Sequence, residues 1–450
     1  MKTHPTWSLL LGVLVMTGCS SPQLNAQPAN LQGANNAQNS LRLQALTSSD
    51  WVRPDNFGKL IPGVDYVADE VLAIYLDGGF PQQELIRIAA KAGLTYLQSY
   101  QLPSAGSNLI CGRFLARFKV PKGGNLELAI QRLQLVSQGV GGNRLYGISP
   151  RGMASGVPRG MGNSVRMAGP SDWGYYAVNA SSQPSRLTAA VIDTGVNNVG
   201  GFNLLSGFNY LAGNTNTKDD FVHASGQLGH GTPAANIITG APSGGLQVGV
   251  LSGSSIMPYK ACDKNGKCTD IEVAQSICAA ANQQASVINL SLGTLLNSKI
   301  LELAVTDAVA DDSVVIAAAG NTRDGTFTGR ENFPSYPAAF TQSIPGLVSV
   351  GAVDRSRQFA SFATTSGSID LVAPGVDVAS LNAYGVLESF SGTSFASPYV
   401  TAAALQILER DPGLRAGQVE DLLVRNADTR GCTPDAGAPS SCGAGMVQVR

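Results

Sequence analysis

Short apolar runs rich in β-branched residues alternate with helical patterns from Ser171 onward. Six of these runs predict β-strands, at residues 187–192, 255–261, 287–290, 314–319, 347–353 and 369–372. Because they are hydrophobic at nearly every position, they are typical of parallel strands that are buried on both faces. Helical patterns lie between them, among them 270–284, where Thr269 and Glu272 form a capping-box sequence. This alternation predicts an α/β domain over residues 171–450, with a doubly wound and mostly parallel sheet.

A different pattern precedes this domain. Strands are predicted at residues 70–76, 94–100, 113–120 and 144–148, and in the third of them apolar residues alternate with charged ones. Two predicted helices lie between them, the first opened by Pro81 and closed by Gly93, and the second opened by Asn125. The resulting order, βαββαβ, is that of a ferredoxin-like fold. We therefore predict a small α+β domain over residues 66–147, in which no residue pattern points to catalysis.

Two segments have the composition of linkers. Residues 19–65 are rich in Asn, Gln, Ala, Ser and Pro and lack apolar periodicity, which favours a flexible chain. Residues 148–170 are rich in Gly, Ser and Arg, and the motif Pro-Arg-Gly-Met occurs in them twice, at 150–153 and 158–161. We predict that this second segment is exposed and can be cleaved.

The amino terminus resembles an export signal. Lys2 precedes an apolar run of ten residues at 7–16, which is too short to cross a bilayer of about 30 Å. Small residues and then Cys19 follow, in a pattern that resembles the bacterial lipobox. We expect residues 1–18 to be a lipoprotein-type signal peptide and Cys19 to be lipidated, so that the protein is exported from a bacterial cell and anchored to a membrane. Ordinary secretion, with an incidental Cys19, is the alternative.

Charge and histidine content narrow the range of functions. The 30 Lys and Arg residues nearly balance the 31 Asp and Glu residues, which argues against a nucleic-acid-binding protein. The chain has only 3 histidines, and His4 lies in the signal. His223 and His230 therefore remain as candidates for an imidazole base, and His223 lies in a polar loop with no comparable setting.

Cysteine usage is consistent with export to an oxidising compartment. Two pairs flank turn sequences and can form disulfides, namely Cys262 with Cys268 and Cys432 with Cys442. Cys111 and Cys278 are left over, and Cys278 lies on an apolar helical stripe that favours a buried thiol. No C-x-x-C motif occurs, which argues against a zinc or redox site.

Four polar residues lie where predicted strands end or helices begin. Asp193 ends the first strand of the α/β domain, and Asn321 follows the strand at 314–319. His230 precedes a helix that Gly240 ends, and Ser394 begins a long helix of small residues. A carboxylate can hold an imidazole, and a helix start or an amide can stabilise an oxyanion. Each residue taken alone also has an ordinary structural interpretation, as a cap or turn residue.

Taken together, these residues occur in the order Asp, His, Ser, with the amide between His and Ser, which is the order in subtilisin. The surrounding motifs resemble those of the subtilisin-like serine proteases from about residue 173 to 449. They are VIDTG at 191–195, GHGT at 229–232, NLSLG at 289–293, AAGN at 318–321, SVGAVD at 349–354, APG at 373–375 and GTSFASP at 392–398.

The resemblance implies a role for each residue. Ser394 is expected to be the nucleophile and His230 the general base, with Asp193 orienting the imidazole and Asn321 donating to the oxyanion. The family's substrate-binding segments match Ser291, Leu292, Gly293, Ala318, Ala319 and Gly320, whose backbones should pair with an extended peptide. Two positions depart from the usual pattern, since Pro233 replaces a common His and Phe395 a frequent Met.

The resemblance also implies a function. It is that of an exported serine endopeptidase that cleaves protein substrates through an acyl-enzyme. Residues 66–147 would be its own prodomain, an intramolecular inhibitor and folding aid that self-processing cuts away. A catalytically silent binding scaffold is the alternative, and an esterase is disfavoured because no G-x-S-x-G motif occurs.

The resemblance implies no cofactor for catalysis. Structural calcium is common in the family, and Asp219, Asp220 and residues 214–216 offer oxygen ligands. Their spacing specifies no calcium site, and solvated loop residues are the alternative interpretation.

Overall fold

The structure is a computed structural model that describes residues 57–62, 64–75, 80–103, 111–138, 145–155, 171–180, 183–325, 330–365 and 369–449. The expected signal peptide, Cys19 and most of the two predicted linkers lie outside these residues. None of the helices in the described ranges is long and apolar enough to span a membrane.

The N-terminal module, which we define as the described residues from 57 to 155, is an antiparallel sheet with two helices. Its elements are β1 (Tyr66–Tyr75), α1 (Gln82–Ala92), β2 (Thr95–Gln101), β3 (Phe114–Lys119), α2 (Leu126–Gln138) and β4 (Leu145–Ser155), preceded by a short 3-10 helix (Phe57–Lys59). The strands lie in the order β2-β3-β1-β4. Apolar side chains of both helices share one buried cluster with the sheet, including Leu85, Ile88, Ile130, Val71 and Phe118.

The ends of these helices lie where the local sequence predicts them. Pro81 precedes α1, and Gly93 ends it with a left-handed φ of 73°, a conformation that glycine adopts without the steric cost of a side chain. Asn125 caps α2, since its side-chain oxygen accepts a hydrogen bond of 2.9 Å from the backbone N–H of Leu128.

Strand β4 is longer than the sequence pattern indicates. We expect a strand at 144–148 and a linker beyond it, but β4 extends to Ser155. Its first part pairs with β1, where Ile148 lies opposite Ala73. Its last three residues pair with β9 (Lys267–Thr269), a strand of the C-terminal domain. Local sequence does not reveal this extension, because pairing partners override the low β-propensity of Gly, Ser and Pro.

The C-terminal domain, which we define as the described residues from 171 to 449, is built on a parallel sheet. Its strands are β5 (Thr188–Asp193), β6 (Asn203–Leu204), β8 (Ser255–Lys260), β10 (Val287–Leu290), β11 (Val314–Ala318), β12 (Leu347–Val353) and β13 (Leu371–Pro374). They lie in the order β13-β12-β11-β10-β5-β8-β6, and the short β7 (Phe208–Asn209) also pairs with β8. A separate antiparallel pair consists of β14 (Val378–Leu381) and β15 (Leu387–Phe390).

Helices cover this parallel sheet. They are α3 (Trp173–Ala177), α4 (Gly231–Thr239), α5 (Asp270–Asn282), α6 (Lys299–Ala310), α7 (Thr393–Arg410) and α8 (Ala416–Arg425), with a 3-10 helix at Ala338–Gln342. Every residue of β10, β11, β12 and β13 is buried, as expected when both faces of a parallel sheet are covered. The predicted α/β class with a mostly parallel sheet is confirmed.

The start of α5 differs from the capping box that the sequence predicts. Thr269 precedes the helix, but its side chain makes no hydrogen bond to the helix backbone. Its hydroxyl instead donates to the carboxylate of Glu272. Thr269 also ends β9, where it pairs with Met153 of the N-terminal module, so its conformation is set by a sheet as well as by a helix.

Three disulfides join the six cysteines of the described residues. The two predicted pairs, Cys262–Cys268 and Cys432–Cys442, are confirmed. The interpretation of Cys278 as a buried thiol is wrong, because Cys278 is bonded to Cys111 across 167 residues of sequence. The helical stripe correctly indicated that Cys278 is buried, but a partner so distant in the chain leaves no local sequence signal.

Candidate active site

The carboxyl ends of three neighbouring strands meet at one edge of the parallel sheet. Asp193 is the last residue of β5, Ser291 directly follows β10, and Asn321 follows β11 by a few residues. Strand β10 lies between β5 and β11. Ligands of open parallel sheets bind outside the carboxyl ends of the strands, so the site predicted from sequence lies at the expected edge.

Asp193 and His230 form a buried, hydrogen-bonded pair. Nδ1 of His230 lies 2.7 Å from Oδ1 of Asp193, and the two residues are 2% and 0% exposed. A carboxylate beside Nδ1 keeps the ring proton on that nitrogen, which leaves Nε2 as the acceptor. Nε2 is buried and has no hydrogen-bond partner among the described residues. The imidazole is therefore oriented to take a proton at Nε2.

Two aromatic rings pack against this imidazole. The ring centroids of Phe395 and Phe221 lie 5.3 Å and 6.2 Å from that of His230. Phe395 directly follows Ser394, so this contact brings the start of α7 against the imidazole. Sequence reasoning treated Phe395 only as a departure from a frequent Met, whereas in the structure it helps to hold His230.

Asp219 is a residue of the candidate site that sequence reasoning missed. We considered it as a calcium ligand or a solvated loop residue, but it is only 2% exposed. Its Oδ2 accepts hydrogen bonds from the backbone N–H groups of His230 and Thr232, at 3.0 Å and 2.9 Å. Its Oδ1 accepts a hydrogen bond of 2.8 Å from the hydroxyl of Thr194. Asp219 thus anchors the start of α4 beside Asp193, a contact between loops that leaves no pattern in the sequence.

The surroundings of His230 act on its pKa in opposite directions. Burial lowers the pKa, whereas the charge of Asp193, the hydrogen bond to Asp193 and the charge of Asp219 raise it. The net effect is a pKa above the ordinary value of 6.5. The two carboxylates therefore make this imidazole bind a proton more strongly than an isolated histidine does.

Ser394 lies in the first turn of α7, after Gly392. Gly392 has a φ of 147°, a conformation that favours glycine and that turns the chain into the helix. The hydroxyl of Ser394 donates to the carbonyl oxygen of Ser291 at 3.2 Å, and the hydroxyl of Ser291 donates to the carbonyl oxygen of Ser394 at 2.7 Å. These reciprocal bonds fix the start of α7 against the end of β10.

Asn321 is oriented by the residue that precedes Ser394. Its Oδ1 accepts hydrogen bonds from the backbone N–H and the hydroxyl of Thr393, at 3.0 Å and 3.1 Å. This identifies the amide oxygen and leaves Nδ2 as the donor. Nδ2 lies 3.7 Å from the position that a Cβ would occupy on Gly392. The amide donor is therefore beside the turn that presents Ser394.

The predicted substrate-binding residues lie at the same edge of the sheet, in two segments. Ser291 and Leu292 are buried, and a Cβ on Gly293 would lie 2.1 Å from the hydroxyl oxygen of Ser335. In the second segment, Ala318 and Ala319 are buried. In this second segment, backbone groups of Ala319 and Gly320 are hydrogen-bonded within the protein.

Gly320 belongs to the wall of the site. Its N–H donates to the hydroxyl of Thr393 at 3.2 Å, and its carbonyl oxygen accepts the N–H of Thr364 at 2.9 Å. The N–H of Ala319 donates to Val350 at 2.9 Å. Gly320 has a φ of 100°, and a Cβ there would lie 2.8 Å from that of Ser335, so glycine is required by both conformation and space.

The residues considered for calcium do not fit a calcium ion in this arrangement. Both carboxylate oxygens of Asp219 accept hydrogen bonds from N–H or O–H donors. Asp220 forms an ion pair of 2.8 Å with Lys260. The side-chain oxygens of Asn214 and Asn216 accept backbone N–H groups of their own loop. Within the described residues, no group of three or more His, Cys, Asp or Glu could hold a metal ion.

Comparison with known proteins shows the family to which the chain is similar. The model of the subtilase family matches residues 185–445. Subtilisin Savinase of Lederbergia lenta is 30% identical over 267 residues, which are 58% of this chain and 93% of that protein. The thermostable alkaline protease of Halalkalibacterium halodurans is 31% identical over 283 residues, which are 62% of this chain and 72% of that protein.

A solved structure resembles a larger part of the chain. It is that of fervidolysin from Fervidobacterium pennivorans, a keratinolytic enzyme related to subtilisin. It matches with a TM-score of 0.65 and 21% identity, over 87% of this chain and 61% of fervidolysin. The structural similarity therefore includes a part of the N-terminal module. At 21% identity, it shows a shared fold alone. The family match, by contrast, spans more than half of the chain, and the chain belongs to the subtilase family of serine endopeptidases.

Proposed function

We propose that the protein is an exported serine endopeptidase, made as a self-processing proenzyme, that hydrolyses peptide bonds in proteins through a triad of Asp193, His230 and Ser394. The observation that carries the proposal is the buried contact of 2.7 Å between His230 and Asp193. The start of α7, with Ser394, packs on the same imidazole through Phe395. These contacts support the proposal that a nucleophile, a base and an orienting carboxylate act together at one edge of the sheet.

The reaction begins from a resting arrangement in which the Ser394 hydroxyl donates to the carbonyl oxygen of Ser291. The hydroxyl turns to Nε2 of His230, which removes its proton as Oγ attacks the carbonyl carbon of the scissile bond. Protonated His230, stabilised by Asp193, then gives this proton to the leaving amine. Water hydrolyses the acyl-enzyme by the same route and restores Ser394.

The dependence of activity on pH tests the role of His230. Protonated His230 cannot accept the proton of Ser394, so kcat/KM should fall as the pH is lowered. Because the pKa of His230 is raised above 6.5, the midpoint of this fall should lie above pH 6.5. The measurement is a pH profile of kcat/KM on a small peptide substrate, made with processed protein that has been treated with a dithiol.

Two adjacent aspartates provide a matched comparison for this profile. Asp219→Asn removes a charge that raises the pKa of His230, so the midpoint should move to lower pH. Asp220→Asn removes an exposed charge that pairs with Lys260, and the midpoint should stay where it is. A wild-type midpoint at or below 6.5 would contradict the proposed environment of the base.

Asn321 tests the oxyanion proposal. Asn321→Leu removes the amide donor beside Ser394 and should lower kcat by about 10²–10³-fold with little change in KM, because the donor acts on charge that develops in the transition state. Steady-state kinetics on a peptide substrate measure both parameters.

A second variant separates donation from a structural role. Asn321 also accepts hydrogen bonds from Thr393, and Asn321→Asp keeps this acceptor while losing the donor. Both variants should lose activity if donation matters. Retained activity in Asn321→Asp alone would show that the amide only positions Thr393.

The pairing of β4 with β9 supports the proenzyme part of the proposal. The hairpin that carries β9 starts at Ala261, whose N–H donates to the carbonyl oxygen of Asp193 at 2.9 Å. Strand β4 adds to β9 as an antiparallel edge strand, with Met153 opposite Thr269. An extended substrate would bind by such β-augmentation. The N-terminal module would therefore inhibit by occupying the edge of β9, if extended substrates also pair with that edge.

Self-processing should cut the chain after β4, between Ser155 and Ser171. We expect the cut there because the residues up to Ser155 are part of the paired strand β4. A preformed module would also assist folding, since a parallel sheet with distant pairings folds slowly. N-terminal sequencing of the mature protein identifies the cut, and cleavage of a peptide library identifies the substrate preference.

Export and anchoring are proposed from the amino-terminal sequence. Residues 1–18 would be removed, and Cys19 would carry the lipid anchor to the membrane. Mass spectrometry of the N-terminal peptide separates a lipidated Cys19 from ordinary secretion after processing.

A further inference from the structure

A disulfide joins the N-terminal module to the C-terminal domain. Cys111 lies just before β3 of the module, and Cys278 lies in α5 of the C-terminal domain. Their Cα atoms are 5.4 Å apart, and both residues are buried, with exposures of 2% and 0%. The backbone N–H of Cys111 also donates to Asp307 of α6 at 2.8 Å. The β2–β3 connection of the module is thus bonded to one helix and hydrogen-bonded to the next.

Non-covalent contacts hold the same two parts together. The backbone N–H of Gly152, in β4, donates to the buried carboxylate of Asp270 at 2.8 Å. Arg330 and Asp65 form a buried ion pair of 2.6 Å. Apolar residues of the module, Leu72, Ile74, Leu102 and Leu115, belong to the main core of the C-terminal domain. The module therefore packs against the C-terminal domain along a broad interface, and the disulfide lies within this interface.

We infer that processing does not release the N-terminal module and that the mature enzyme is a two-chain protein held by Cys111–Cys278. This inference rests on the proposed self-processing. A cut between Ser155 and Ser171 lies between the two cysteines in the sequence, so the two products stay bonded. Release needs a dithiol, which gives two electrons and two protons to the disulfide. Two thiols form, and the dithiol becomes a disulfide.

The bond changes how inhibition responds to dilution. A free inhibitor is lost when the protein is diluted below its dissociation constant. A tethered inhibitor rebinds at an effective concentration that dilution does not change. After processing, β4 of the tethered module returns to the edge of β9. The processed protein therefore stays latent until the disulfide is reduced.

The linkage can be tested without relying on the protein's own activity. A recognition sequence for a site-specific protease is placed between Ser155 and Ser171 in the Ser394→Ala protein, which is then cut and denatured. Without reductant, the two fragments should migrate together in electrophoresis, and with dithiothreitol they should separate. With the further change Cys111→Ala, they should separate without reductant. Fragments that separate without reductant while Cys111 and Cys278 are both present would overturn the inference.

Latency is tested on processed protein over a hundredfold dilution. The double variant Cys111→Ser, Cys278→Ser should gain at least tenfold in specific peptidase activity on dilution, whereas the wild type should gain none until dithiothreitol is added. A matched control, Cys432→Ser with Cys442→Ser, should behave as the wild type, because that bond lies within one domain. Equal activity of wild type and double variant at every dilution would overturn the latency.

The two tests separate this inference from the proposed function. If the fragments stay linked but no form has peptidase activity after reduction and dilution, then the proposed function is wrong and the linkage stands. If the fragments separate without reductant but the processed protein is active, then the linkage is wrong and the proposed function stands.

Discussion

Replacement of Ser394 by alanine should abolish peptidase activity and leave the chain uncut. The same hydroxyl is proposed to carry out turnover and maturation, so both should be lost together. The expected fall in kcat is about 10⁶-fold, because removal of a triad nucleophile leaves only the stabilisation that binding and the oxyanion donors supply. Peptide hydrolysis and the mass of the purified chain measure the two effects.

Ser349→Ala is the matched control for this change. Ser349 is a buried serine of β12 whose hydroxyl has no hydrogen-bond partner among the described residues. Its loss should leave activity and processing near those of the wild type. Complete self-processing by pure Ser394→Ala protein would show that another residue performs the cleavage.

Asp193→Asn should lower kcat by about 10⁴-fold while leaving the fold and KM nearly unchanged. The amide is similar in size to the carboxylate, but its NH₂ group can donate to Nδ1 of His230. The ring proton then moves to Nε2, where it blocks acceptance of the Ser394 proton. Steady-state kinetics measure the loss, and circular dichroism checks the fold.

The exposed residue Asp220 provides the control for the change at Asp193. Asp220→Asn makes the same chemical change at a half-exposed residue that pairs with Lys260, and kcat should stay within a few-fold of the wild-type value. A loss of less than tenfold in Asp193→Asn would mean that Asp193 does not orient the base.

Local sequence predicts those strands and helix ends whose signal lies in a few consecutive residues. The strands β10 and β12 occupy the predicted residues, 287–290 and 347–353, because buried parallel strands are apolar at every position. Helix α4 ends before Gly240 as predicted. The residues proposed for the triad come from the sequence alone, because their motifs are short and contiguous, and they stay a prediction.

Features that depend on distant contacts could not be predicted in this way. The bond of Cys111 to Cys278 closes 167 residues, and no spacing rule connects such a pair. The extension of β4 to Ser155 depends on pairing with β9. Asp219 looked like a loop residue, and only the folded chain brings it to the backbone of His230. In each case, the partner lies in another element or loop.

Covalent labelling of the processed protein tests the central claim most directly. After treatment with a dithiol and then a fluorophosphonate, mass spectrometry of peptides locates the modified residue. We expect modification of Ser394, much slower labelling in His230→Ala, and none in Ser394→Ala. Folded protein that cleaves peptides while Ser394 stays unmodified, or that is modified at another serine, would contradict the account.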